Sequence, residues 1–184
     1  MRWIAALAVM AAPAFAETCP DPIDISAEMV GLLDGIQAAP SASAARPWTE
    51  KMWRVWLRAP DTVAQNVLDR GMSRQRNFDL LGAQRDFDTL VSYCPTYAEG
   101  YNQRAFTNYL GGKYDAALAD LDKAIVLSPT HVGALAGRAL TLMQMGRFQE
   151  ARAQMLDAVA LNPWLSERAL LEPGQPLEAK EQDL

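Results

Sequence analysis

The chain has 184 residues, half of them apolar, and its 17 basic side chains against 22 acidic ones leave a formal charge of −5. An acidic chain with no basic cluster argues against a nucleic-acid partner. The length suits one compact domain of packed elements.

Residues 1–16, MRWIAALAVMAAPAFA, carry Arg2, then an apolar run, then Ala14-Phe15-Ala16. That is the order of a secretory signal peptide with an A-x-A cleavage site, so the mature chain is expected to begin at Glu17. As a membrane anchor the run is short, and no stop-transfer flank follows it. The residues before Cys19 do not make a lipoprotein box. No later stretch is apolar enough to span. The expected location is therefore periplasmic or secreted, with no integral span after cleavage. Loss of Arg2 takes the net charge to about −6.

Two cysteines remain, Cys19 in an extended CPDP leader and Cys94 just before Pro95. In an oxidising compartment an even pair is a candidate disulfide, here one that would staple the N-terminal arm to the body. Two free thiols are the alternative. There is no C-x-x-C, which argues against a redox role.

Residues 17–60 read as an arm and a helical hairpin. Met29, Leu32, Leu33 and Ile36 lie at helical spacing in a helix from Ser26, a candidate N-cap, to about Ala38. Pro40 to Ala45 reads as a connector. A second helix is expected from about Pro47, with Met52, Trp53, Trp56 and Leu57 on its apolar face and Pro60 closing it. Trp48, Trp53 and Trp56 could cage a ligand or fill a core. Trp53 and Trp56 are assigned to the core, and Trp48 is left open.

From there a 34-residue period takes over. Pro95, Pro129 and Pro163 are evenly spaced. Counting back from the last two, Ala124 pairs with Ala158, Ala117 with Ala151, Tyr114 with Phe148, Gly112 with Gly146, Ala105 with Ala139, and Arg104 with Arg138. Small residues sit where two helices cross closely. The glycines fall where a first helix ends, and the prolines where a second one stops. Residues 61–95 repeat the pattern in degenerate form. Gly71, Ala83, Phe87 and Leu90 hold the phases of Ala105, Ala117, Leu121 and Ala124. Phe78 stands in the phase of the turn glycine, with the turn placed at Asn77-Phe78-Asp79. Arg70 shares the phase of Arg104 and Arg138, which is expected to tie helices together through carboxylates or carbonyls.

This pattern resembles the tetratricopeptide repeat (TPR). The chain departs from the family at its Leu, where both well-formed repeats carry Arg, and at the following aromatic, where they carry Asn108 and Leu142. The resemblance implies an all-α, right-handed α-solenoid with a degenerate repeat at 61–95 and repeats at 96–129 and 130–163. The N-terminal hairpin precedes them. A capping helix at 164–171 follows, docked by Trp164 and Leu165, and then an acidic, flexible tail at 172–184. The segments GYNQRAF and HVGALAGRALTLM resemble small exported repeat proteins of alphaproteobacterial type.

The resemblance also implies which positions face the concave side. Among them Leu68, Met72, Asn102, Phe106, Tyr109, Leu140 and Met143 form the candidate groove. These are mostly apolar, unlike the Lys, Asn and Arg set with which some chaperone-binding members hold a peptide carboxylate. The groove suits an apolar peptide or helix, unless the N-terminal helices fill it as core.

Chemistry is sparse. His131 is the one histidine and opens a repeat helix, where a structural role is expected. No cluster has metal-ligand spacing, and no phosphate loop or nucleophile elbow occurs. Asp86/Asp88 and Asp120/Asp122 lie two apart, on different faces of a helix, so neither is an acid/base pair. The expectation is a non-enzyme without cofactors, binding a protein or peptide. The alternative is a small-molecule or lipid-fragment binder whose apolar pocket is closed by the N-terminal helices.

Overall fold

A computed structural model describes residues 18–179. The expected signal peptide, its cleavage site after Ala16 and the last five residues lie outside the described residues. Within them the chain is helical with no strand: α1 (Ser26–Ala38), α2 (Ala42–Trp56), α3 (Thr62–Arg76), α4 (Leu80–Tyr93), α5 (Ala98–Leu110), α6 (Tyr114–Leu127), α7 (Val132–Gln144), α8 (Phe148–Leu161) and a short 3-10 helix (Ser166–Leu171). From α3 to α8 each helix packs on the one before and the one after it. That is a solenoid of helix pairs, preceded by the α1–α2 hairpin.

The turns inside the three pairs are copies of one another. Phe78, Gly112 and Gly146 have φ of 58°, 70° and 74°. The following residue donates its N–H back to the third-last residue of the helix: Asp79 to Arg74 at 3.0 Å, Lys113 to Asn108 at 2.8 Å, Arg147 to Leu142 at 2.9 Å. This closure needs a left-handed residue, which glycine adopts without a steric penalty and phenylalanine does not. Phe78 therefore keeps the glycine's conformation without being one.

The crossings inside the pairs are matched in volume. Gly71 faces Phe87 so closely that a Cβ there would lie 2.6 Å from Phe87 Cε1. In the next two pairs the small residue grows to Ala105 and Ala139, and the phase of Phe87 shrinks to Leu121 and Met155. All these side chains are buried, as close packing requires.

Arginines join the pairs in the expected way, and the paired acids have a specific use. Arg70 Nε donates to Asp86 Oδ1 at 2.9 Å. Arg104 forks onto Asp120 at 2.9 and 2.6 Å and reaches back to Asp88 at 3.0 Å. Arg138 holds Asp122 and, at 3.0 Å, Gln154. Residues two apart on a helix point different ways. One carboxylate of each D-x-D thus serves the arginine of its own pair, and the other serves the arginine of the next.

Several expectations need correction. Ser26 is not the N-cap of α1: Ile25 is, and Asp24 Oδ1 accepts the Ser26 N–H at 2.9 Å. The connector before Pro47 is helical. Ser41 Oγ caps α2 by accepting the Ala44 N–H at 3.2 Å, the alanines after it favour helix, and Pro47 sits inside α2 rather than in its first turn. Trp56 is core, but Trp53 is 36 % exposed. Trp48 packs over Gly35 of α1. The segment after 171 is not the expected flexible tail as far as it is described: Leu177 is 1 % exposed and completes a cluster with Leu142, Ala151 and Met155. Leu170 and Leu171 join it, so the last pair's apolar face is covered by these leucines. Trp164 turns to the hairpin instead, and its Nε1 donates to Ile36 O at 3.2 Å.

The Cys19–Cys94 disulfide is formed, with a Cα–Cα distance of 5.2 Å. It ties the extended arm to the end of α4. Around it Ala59, Leu68, Phe87, Leu90 and Tyr97 make one core cluster.

Candidate functional site

The concave side is lined by α3, α5 and α7, and α2 stands against it as a wall. Two contacts fix that wall. The Trp56 indole stacks on the His131 ring at 4.0 Å with planes 9° apart. Trp56 O accepts the Tyr97 hydroxyl at 2.7 Å. Burial, then the nearby Glu99 charge, holds the Tyr97 phenol well above its ordinary pKa, so it remains a donor. Gly133 makes room for Trp53 on the facing helix: a Cβ there would be 2.6 Å from Trp53 Cη2.

Between wall and floor lies a cleft of about 890 Å3. Its floor is made of small residues, Ala105, Gly133, Ala136 and Gly137, and larger groups flank them: Trp53, Met72, Phe106, Tyr109 and Leu140. Phe106 is 49 % exposed. An aromatic ring this open, beside a trench of small residues, leaves apolar surface for another molecule to cover.

The cleft brings together Met72, Asn102, Phe106, Tyr109 and Leu140 of the expected groove residues. Leu68 and Met143 do not line it. Leu68 is 0 % exposed, closed over by the cluster around the disulfide. Met143 packs into the cluster that the C-terminal leucines complete. Of the tryptophans that the alternative reading set around a pocket, Trp53 and Trp56 line it and Trp48 does not; sequence reasoning missed Thr49 of α2 and the contribution of Trp164 and Leu165. The tryptophan run was the available signal, but its direction depends on how the hairpin docks.

Beneath the floor is a buried polar network. Glu99 accepts from His131 Nε2 at 2.7 Å, Gln103 Nε2 at 2.6 Å and Asn102 Nδ2 at 3.1 Å. His131 Nδ1 accepts the Ala134 N–H at 3.2 Å and so caps α7. The histidine thus has the expected structural position. Among the described residues no group of three or more His, Cys, Asp or Glu could hold a metal ion, and no helix is long and apolar enough to cross a membrane.

With this geometry in view, residues 110–163 match the family model described as Tetratricopeptide repeat. The TPR2B domain of yeast Sti1, solved as a complex with pHsp70, is similar with a TM-score of 0.56 and 20 % identity, over 59 % of this chain and 90 % of that one. The fold is a TPR fold. No curated protein matches the sequence. The matched residues 110–163 run from the end of α5 through α8, and the α1–α2 hairpin that walls the cleft lies outside them.

Proposed function

We propose that this chain is an exported, periplasmic or secreted, TPR protein that binds another protein or peptide in its concave cleft and does no chemistry itself. The observation that carries the reading is the cleft with Phe106 half exposed beside a floor of small residues. Its shape accepts one or two bulky side chains of a partner. The similar TPR2B domain, solved with pHsp70, supports a protein or peptide as occupant. Met72, Asn102, Phe106, Tyr109 and Leu140 carry the contact, together with Trp53.

The test is a pair of substitutions. Phe106→Glu places a charge on an already open position, so melting should change little. Capture of the partner from an extract of the exported fraction should be lost. Leu68→Glu buries an unpaired charge and should cost about 3–5 kcal/mol whatever binds. A stable Phe106→Glu protein that still captures its partner overturns the site. N-terminal sequencing of native protein should begin at Glu17, and an intact Met1 in a membrane fraction overturns the location.

A second reading is favoured by the wall of α2. A cleft of about 890 Å3 faced by Trp53 and Trp56 also falls in the size range of small-molecule sites. Native mass spectrometry of the purified protein separates the two: a retained small molecule supports this reading, and a captured polypeptide supports the first.

A further inference from the structure

A second cavity, of about 480 Å3, shares a wall with the cleft. Trp56 lines both, while Tyr97 and His131, which fix that side chain, line only this one. Its sides are Met29 and Leu33 of α1, Val55 of α2 and Leu127 at the end of α6. The N-terminal arm supplies the remaining side: residues 22–25 line the cavity before the chain enters α1. Here extended chain, not a helix, completes the enclosure.

The arm is fastened at its two ends. At one end Cys19 is bonded to Cys94. At the other Ile25 packs on the cluster of Met29, Leu33 and Val55, and its carbonyl accepts the Met29 N–H at 2.9 Å as α1 begins. Between those ends no hydrogen bond joins residues 20–24 to the body among the described residues, and Asp24 only caps its neighbour, accepting the Ser26 N–H. Ile23 is 52 % exposed and Pro22 is half-buried. Ordering the backbone of residues 20–24 costs more than two half-covered apolar side chains return. The covalent bond therefore keeps this segment in place. That bond is reachable from one side, since Cys94 is fully buried and Cys19 is half-buried.

We propose that residues 20–24 are a redox-locked strap: the Cys19–Cys94 disulfide holds the second cavity shut, and its reduction opens the cavity while the hairpin stays docked. A dithiol supplies the electrons. One of its thiolates attacks Cys19 Sγ, the bond between the two cysteine sulfurs breaks, and Cys94 leaves as a thiolate that takes up a proton. The second thiol of the reductant then displaces Cys19 from the mixed disulfide. The products are two cysteine thiols and one oxidised dithiol. The hairpin stays because its own contacts lie elsewhere: the Trp56–His131 stack, Trp164 Nε1 on Ile36 O, and Gln37 Nε2 on the carbonyls of Ala160 and Leu161. Met29, Leu33 and Val55 then lose their cover on the arm's side. An oxidising compartment keeps the strap shut. The device is independent of what the cleft binds.

The test compares the purified protein, air-oxidised and dithiol-treated, below the melting transition of the reduced form. Three quantities are read: cleavage within residues 20–25 by proteinase K, uptake of the uncharged dye N-phenylnaphthylamine, and the indole resonance of Trp53. Reduction should raise the cleavage rate about tenfold or more, because cutting follows the population of the released arm. Dye uptake should rise with it, the Trp53 indole should not move, and reoxidation should reverse both changes. Cys19→Ser with Cys94→Ser should behave as the reduced chain does and ignore the dithiol. If that variant does not fold, the reduced native chain carries the test alone. Thr130 is an exposed residue that lines the cavity. Thr130→Trp should fill it and lower the dye signal of the reduced chain without changing cleavage. If either cleavage or dye uptake is the same in both redox states, the arm does not close the cavity and the proposal falls. A shift of the Trp53 indole on reduction would show the hairpin leaving with the arm, which also overturns it. Dye uptake that Thr130→Trp leaves unchanged would place the opened surface elsewhere, and the strap would not be the cover of this cavity.

Discussion

Phe78 shows how a single residue records the repeat and departs from it. Its φ of 58° is that of Gly112 and Gly146, and its ring is 77 % exposed. The ring contributes little packing, and the backbone bears the left-handed penalty of about 1–2 kcal/mol for a residue with a Cβ. Phe78→Gly removes that penalty and adds some freedom to the unfolded chain, about 0.4–1 kcal/mol. The net should be a gain of about 0.5–1 kcal/mol, or roughly 1–4 °C in Tm, read by thermal and urea unfolding. A loss would mean that the ring is covered in solution. Phe78 was legible because period alone fixed its phase. Leu68 and Met143 were not. Their phase places them on the concave helices, but exposure depends on what lies above them. Leu68 is sealed by residues gathered around Cys94, and Met143 by leucines beyond residue 169. Nothing periodic marks either cover.

Pairs of helices are where the sequence was most readable, because each crossing is set by residues at fixed offsets. The first pair spends its space differently from the other two: Gly71 against Phe87, where they have Ala105 against Leu121 and Ala139 against Met155. Gly71→Ala gains helix propensity of about 1 kcal/mol but drives a methyl into a buried ring that has nowhere to go. The overpacking term of about 1–3 kcal/mol should win. Phe87→Leu alone opens a cavity and should also destabilise, by about 1 kcal/mol. Together they rebuild the crossing of the second pair, so the double variant should be more stable than the sum of the singles, with a coupling of about 1–2 kcal/mol in a double-mutant cycle. Strict additivity would show that the two positions do not share the space. The start of α2 departs from the expected one for a reason at this scale. A proline is tolerated at the first position of a helix, so Pro47 looked like a beginning. Ser41 supplies an earlier cap, and the tertiary contacts of Met52, Val55 and Trp56 hold the helix through the proline.

The whole molecule depends on contacts that no local pattern announces. The hairpin is held by Trp164 Nε1 on Ile36 O, by Gln37 Nε2 on the carbonyls of Ala160 and Leu161, by the Trp56–His131 stack and by Tyr97 on Trp56 O. It therefore docks independently of the disulfide, although Cys19–Cys94 encloses it in a loop with a separation of 75 residues. In the chain-entropy model a loop of that length contributes about 4–5 kcal/mol, acting on the unfolded chain. These two facts separate stability from closure. Thiol titration of air-exposed protein should find no free cysteine. Reduction, or Cys19→Ala with Cys94→Ala, should lower Tm by on the order of 10 °C. Below that transition the emission of Trp53 and Trp56 should stay where it was, because the hairpin contacts persist and only the arm is released. A red shift on reduction at room temperature would mean the disulfide holds the wall of the cleft in place. The cleft would then open and close with the redox state of its surroundings, and any measure of partner binding would have to be made at both.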